Sequence, residues 1–306
     1  MLLKARPTRA QLDDRLAVSS LEGLELYLDV DDISGDDWRR TILSSIGRYS
    51  VPGDFVWIVE GPLRSLDGEF FNIGRVSEAD REVVGRVTTI GAALGARAAV
   101  IHCIAPTRDA LSLEGAAREK AMACALDFLR YYAATCHESG LVPCIENVPP
   151  IARMREGAQM HSSIGMEPAD LVYFADNVDG LRLTLDVSHA QLYLNGANGR
   201  LASTEGMEQM AQTLQARRAA SDLGEFIALL GDRIFEVHVS NAEGIWGEGL
   251  PYGQGELALD SVMARLLPLA RYIVTETIEP DADNAALMRE ARERILAVRA
   301  RLACPT

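Results

Sequence analysis

The sequence is short of three things. It has no apolar run near the roughly 18 residues that span a bilayer, no CxxC pair among its five cysteines, and too little positive charge to balance its acids. The first absence excludes a membrane-spanning helix. The start, MLLKARPTRAQLDDRL, also holds no apolar stretch of signal-peptide length, so a cytoplasmic location is expected. The cysteines (Cys103, Cys124, Cys136, Cys144 and Cys304) are odd in number, and their spacing fits reduced thiols rather than a disulfide frame. Lys and Arg together number 30 against 44 Asp and Glu, a formal charge of −14. Such a surface repels phosphate backbones and anionic lipid headgroups, so neither nucleic acid nor membrane is an expected partner. Positive charge is nearly all arginine. Lysine occurs only as Lys4 and Lys120, which by itself implies nothing about function.

What is present is enough apolar residue, 48% of 306, to build a large core, which excludes global disorder. Short apolar or alternating runs recur at 2–4, 24–29, 55–60, 98–103, 141–146, 181–187, 234–239 and 272–278. Each is rich in Val, Ile, Leu or aromatics and short enough for a strand. Helix-like segments lie between them. Ser77 is a fitting N-cap for one, residues 114–139 form a long one that ends at Gly140, and residues 283–302 form the last. Strict alternation of strand and helix implies parallel strands joined by right-handed crossovers. Eight such units fit an α/β single domain of the (β/α)8 TIM barrel type, commonly about 250 residues plus insertions. A doubly wound open sheet is the alternative, but no G-x-G-x-x-G follows an early strand. The longest connection, near 190–232, reads as a lid-like insertion over the barrel mouth.

The polar residues fall at strand ends. Glu146, Asp186, His238 and Glu276 close or nearly close four successive strand runs, the fifth to the eighth. In a parallel barrel these ends share one face, so the four side chains can converge on one point. Carboxylates mixed with imidazole suit one divalent metal ion such as Mn, Zn or Co, and carboxylates with water suit Mg. Glu60 and His102 end two earlier strands and are candidates for a second metal or for substrate. A single Glu or His at a strand end is ordinarily solvated or hydrogen-bonded. Here, however, three of only five histidines (His102, His189 and His238) belong to this set. Strand parity places Glu25, Tyr27 and Asp29 on the interior side of the second strand, with Asp29 either a substrate contact or a solvated end residue. The same parity allows Arg182 and Glu236 to pair inside the barrel below the metal.

These residues carry a resemblance. Ile-Glu146-Asn, Leu-Asp186-Val-Ser-His189-Ala, Val-His238-Val-Ser-Asn241, Gly249-Leu-Pro-Tyr-Gly253-Gln-Gly255 and Thr-Glu276 occur in that order over nearly the whole chain. The chain resembles the xylose isomerase-like TIM barrel superfamily, in its sugar phosphate isomerase/epimerase branch, which is related to AP endonuclease family 2. The resemblance implies that Glu146, Asp186, His238 and Glu276 bind one divalent metal. It places His189 beside that metal, against substrate or a further metal, and puts Asn241 where an aspartate is common. It implies a metal-dependent isomerase or epimerase of a small sugar, sugar phosphate or related keto-polyol. Glu146 and Glu276 would then exchange the proton of an enediolate, with His189 as the polar contact on the substrate side. A dehydratase would use the same enolate chemistry.

Departures from the endonuclease pattern choose between branches. His-Ala-Pro of the endonucleases is here Glu60-Gly61-Pro62, and their Asp-x-His pair is Gly247-Glu248-Gly249. A glycine side chain ligates nothing, so a third metal site is broken. An apurinic endonuclease-like phosphodiesterase and a non-catalytic sugar-binding barrel stand as alternatives. Arg153 and Arg155 are candidates for binding a substrate phosphate or carboxylate bidentately, or are a solvated pair. Trp246, in a Gly-rich loop, is a candidate cover for the site or an exposed loop aromatic. Cys144 reads as barrel core, and Gly253-Gln-Gly255 as a turn. Relatives in this superfamily are often dimers or tetramers, so a homo-oligomer is a further expectation.

Overall fold

A computed structural model describes residues 1–107, 114–153, 159–200 and 208–303, with only the backbone of residues 152, 153, 159 and 160. The strands that form the barrel are β1 (Leu2–Ala5), β2 (Gly23–Tyr27), β3 (Val56–Glu60), β4 (Ala98–His102), β5 (Val142–Glu146), β6 (Arg182–Asp186), β7 (Ile234–Val239) and β8 (Tyr272–Thr275). They pair in parallel in the order β1-β8-β7-β6-β5-β4-β3-β2, and β1 closes the ring on β8 with Leu2 opposite Val274. This is the (β/α)8 barrel that the alternation of runs and helices predicts. Each run expected to be a strand coincides with or overlaps one, with no edge moved by more than three residues. The shortest run, at 2–4, gains Ala5.

The helices also follow the local sequence. Ser77 accepts from the Asp80 amide and caps Glu78–Leu94. The long helix spans Gly115–Glu138, and Gly140 just beyond it takes φ +73°, a value that only glycine adopts without strain. The last helix starts three residues later than expected, at Ala286, and runs to Ala303. Asp29 caps the short helix Val30–Ile33, accepting from the Asp31 amide. It therefore serves the backbone of its own loop rather than standing as a bare strand end.

Two layers of core follow from the pleat. Side chains that point outward from the strands pack under the helices in one continuous apolar shell. Those that point inward at the bottom of the barrel (Leu2, Ile58, Ala98, Val100, Cys144 and Val274) form a separate apolar plug. Cys144 is thus barrel core, and burial pushes its thiol well up. Tyr132, from the long helix, ties the plug's strands together. Its hydroxyl donates to the Ala99 carbonyl at 2.6 Å and accepts from the Cys144 amide at 3.3 Å. Above the plug every inward position is polar, and that change of layer creates the site.

The connection read as lid-like holds the helices Val187–Ala197, Glu208–Ala216 and Leu223–Leu230; residues 201–207 lie outside the described part. Two small sheets flank the C-terminal face. One is a hairpin of Asn241–Glu243 and Gly247–Leu250, the other joins Pro106–Thr107, Ile151–Arg153 and Gln159–Ser162. Among the described residues no helix is long and apolar enough to cross a membrane. Four of the cysteines are free, and Cys304 lies outside the described residues.

Candidate metal centre

The register of the barrel sets the height of each polar side chain. Asp186 is level with His238 across β6 and β7, His102 is level with Glu146 across β4 and β5, and Tyr27 is level with Glu60 across β2 and β3. Glu276 follows β8, and its amide donates to the Val239 carbonyl at 3.1 Å, which carries it over β7. One ligand atom each from Glu146, Asp186, His238 and Glu276 lies within 4.8 Å of the other three. Donors bound to one ion at roughly 2.0–2.2 Å would be spaced on that scale. Glu146, Asp186 and His238 are all but fully buried, whereas the Glu276 side chain keeps 28% exposure.

The polar atoms of this group fit a divalent ion. Both oxygens of Glu146, Oε2 of Glu276 and Nδ1 of His238 are buried without a hydrogen-bond partner. Nδ1 of His238 is 2.7 Å from Glu276 Oε2 and 3.5 Å from Glu146 Oε1, yet it is not aligned for a hydrogen bond to either. Buried polar atoms left unpaired are costly, and a cation satisfies all of them at once. The opposite side of the imidazole is already engaged. His238 Nε2 lies 3.0 Å from Glu25 Oε2, which holds a proton on Nε2 and turns Nδ1 toward Glu146 and Glu276.

Neighbouring residues hold the ligands in place. The Asn147 side chain accepts from the Asp186 amide at 2.8 Å and donates to the Asp186 carbonyl at 3.0 Å, locking the end of β5 to the end of β6. Asp186 Oδ1 accepts from the His189 amide at 2.7 Å and so caps the helix Val187–Ala197. His189 Nδ1 donates to the Asn147 carbonyl at 2.9 Å and lies 3.4 Å from Glu146 Oε1, while its Nε2 is 3.6 Å from Glu248. Glu248 is the residue that stands inside the altered Gly-Glu-Gly sequence.

The charges respond to one another. Burial acts to raise Glu146, but the neighbouring His238 outweighs it and holds the carboxyl well below its usual range. Burial likewise opposes ionisation of Glu276, yet the Lys4 ammonium and His238 bring it down to about 2. Burial lowers His189, but Asp186 and Glu146 override it and raise the ring to about 10. Asp186 is pushed up to about 6 by burial, with His189 opposing. Burial lowers His102 more than Glu146 raises it, so its ring is neutral and able to ligate. Burial and its Glu25 neighbour push Glu236 well up.

A second grouping, Glu60, His102 and Glu146, also brings its donors within 4.8 Å, with His102 Nε2 at 3.5 Å from Glu60 and 3.6 Å from Glu146. A cavity of about 420 Å³ opens onto this side and is lined by Lys4, Tyr27, Glu60, His102 and Glu276 among others. Glu146 does not line it. Its volume is that of a small-molecule site.

Several residues stand elsewhere than the sequence suggests. Glu236 does not pair with Arg182. It accepts from Thr184 at 3.1 Å and faces Glu25 and His238, while Arg182 contacts the Asp232 carbonyl at the barrel's lower rim. The two share a strand face but not a depth. The Asn241 side chain is spent on backbone: it donates to the Leu257 carbonyl at 3.0 Å and accepts from the Ala242 and Leu257 amides. Gly255 explains that arrangement. At φ +91° its hydrogen lies where a Cβ would come within 2.7 Å of Asn241 Oδ1. Trp246 sits half-buried at the hairpin tip, packed against the outer core. The side chain of Arg153 and all of Arg155 lie outside the described residues. Sequence reasoning passed over Lys4, Glu25 and Glu248 as parts of the centre. The interior parity of β2 signalled Glu25, and nothing signalled Lys4.

Comparison with known proteins agrees with this architecture. No curated protein sequence matches. A D-tagatose 3-epimerase-like protein superposes with a TM-score of 0.66 at 16% identity, over 99% of this chain and 100% of that one. A Thermus thermophilus protein soaked with ZnCl2 gives 0.64 at 18% identity, over 98% of each chain. A family 2 AP endonuclease from Brucella melitensis gives 0.60 at 14% identity, over 94% of this chain and 98% of that one. At such identities these likenesses speak for the fold. The family model described as Xylose isomerase-like TIM barrel matches residues 23–298, which places the chain in the xylose isomerase-like TIM barrel family.

Proposed function

We propose that the protein is a divalent-metal-dependent isomerase or epimerase of a small sugar, sugar phosphate or keto-polyol, holding one ion at Glu146, Asp186, His238 and Glu276. The observation that carries this reading is the convergence of three carboxylates and one imidazole, with orphaned buried donors, beside a cavity of sugar-binding size. The similar solved structures include sugar epimerases, which agrees with it. Mn, Zn, Co and Mg all suit the donor set. The ion, when bound, supplies Lewis-acid stabilisation for the charge that develops on a carbonyl oxygen during proton abstraction.

The chain's own residues do the rest. Glu276 reaches the cavity and is the group best placed to take or return a proton on the carbon beside the carbonyl. Its depressed pKa keeps it ionised, with its charge held by Lys4 and His238. Glu146, three strands round the ring, is the partner carboxylate on the other side of the centre. Return of the proton to the opposite face of the same carbon epimerises it, and return to the next carbon isomerises. His189 stands over Glu146 as a polar contact for a substrate oxygen. Glu25 holds His238 in one tautomer. The connection around 190–232 and Trp246 are the elements that would cover the mouth.

The nuclease reading has one specific support, the second donor group at Glu60, His102 and Glu146. Against it stand the glycines at 247 and 249, which offer no ligand, and the formal charge of −14, which opposes DNA. Solvent exchange tests the proposal. Protein loaded with Mn²⁺ is incubated in D2O with a panel of ketoses, ketose phosphates and inosose. Deuterium is expected on the carbon next to the carbonyl of at least one of them. Absence of exchange and turnover across the panel, in protein that retains its metal, would favour a binding barrel. Cleavage of abasic DNA would favour the nuclease.

A further inference from the structure

Lys4 is one of two lysines in the chain and stands inside the barrel, on the strand opposite β5 in the ring. Its Nζ lies 2.5 Å from Glu60 Oε2 and 3.5 Å from Glu25 Oε1, and it also contacts Glu276 Oε1. These carboxylates come from β2, β3 and the end of β8, so one ammonium gathers the acids of three strands. The side chain is only 11% exposed.

That position bears on metal count. Glu60 is the carboxylate on which the second donor group depends, and its Oε2 is already engaged by Lys4. Only Oε1 turns to His102, at 3.5 Å. An ion held by Glu60, His102 and Glu146 would share a carboxylate with a fixed positive charge. Charges of like sign at that range repel strongly in a buried site. The ammonium also contacts Glu276, a ligand of the first group, and fixes the direction of that carboxylate.

We propose that Lys4 is a built-in second cation: its ammonium neutralises Glu60, steadies Glu276, and limits the barrel to one divalent ion. This rests on the metal-site reading above. It also assigns a chemical role to Glu60, as the counter-ion of Lys4 rather than a metal ligand. Removing the ammonium would leave Glu60, His102 and Glu146 free to hold a second ion.

Metal counting tests this without any assay of turnover. Full-length protein is stripped with chelator, dialysed to equilibrium against Mn²⁺, and its metal measured by plasma mass spectrometry. Wild type is expected to hold one Mn²⁺ per chain. Lys4→Met is expected to hold two, with the exchange-coupled paramagnetic spectrum of a close pair, and Lys4→Met/His102→Ala to return to one. Lys4→Gln serves the same purpose where the methionine variant does not fold. Two ions per wild-type chain, or one ion in both neutral variants, would overturn the role of Lys4 and leave the metal-site reading standing. No ion in wild type would overturn both.

Discussion

Asp186→Ala is expected to lose the metal: affinity for Mn²⁺ falls by more than about 100-fold, the scale at which even the residues supporting metal ligands act, and turnover falls to background. Asp186 contributes one of three carboxylates in the four-residue group, and it is buried. Its removal leaves too few charges to repay the dehydration of a divalent ion. The substitution has a second effect that must be separated from the first. Asp186 Oδ1 caps the helix Val187–Ala197 through the His189 amide, and loss of a cap costs about 1 kcal/mol. Asp186→Asn keeps an acceptor for that cap while removing the charge. If metal affinity tracks charge, Asn and Ala both lose the ion, and only Ala lowers stability in urea. Titration calorimetry with Mn²⁺ beside a denaturation curve gives both numbers. An Asp186→Ala protein that binds metal as wild type does would remove Asp186 from the centre.

Glu276→Gln is expected to keep most of its metal but lose about 10²- to 10⁴-fold in turnover, the usual contribution of a positioned acid or base. The amide retains an oxygen donor, so the ligand shell is weakened rather than opened. What disappears is the proton acceptor. Glu276 is the one member of the four-residue group that the cavity reaches, and Lys4 and His238 keep it ionised. Glu146→Gln is expected to show the same pattern with greater metal loss, because Glu146 is buried and both of its oxygens lack a hydrogen-bond partner. Solvent deuterium incorporation separates the two carboxylates. The variant that lacks the abstracting base stops exchange into substrate, whereas the variant that lacks the returning acid retains partial exchange. Full turnover in both variants would end the two-carboxylate account.

Much of this architecture is legible in the sequence. Eight short apolar runs separated by helical stretches leave few topologies, and parallel strands force all their C-terminal ends to one face. The four ligand candidates then converge through register alone. Depth within the barrel was harder to read. Arg182 and Glu236 share a face of adjacent strands, but Arg182 starts its strand at the lower rim, so the pairing that parity allowed does not form. Asn241 sits beside the site in sequence and spends its amide on a loop that Gly255 makes possible. Lys4 was the least visible. It lies on the shortest expected strand, and lysine content alone says nothing about which acids a single ammonium will meet. Contacts such as Lys4 with Glu60 join strands two places apart in the ring and 56 residues apart in the chain, and no local pattern encodes them.

The most direct test of the central claim is an anomalous difference map from crystals soaked in Mn²⁺. The account predicts one strong peak, bonded to Glu146, Asp186, His238 Nδ1 and Glu276. A crystal with no peak at that point, or with its strongest peak at another set of residues, would contradict it.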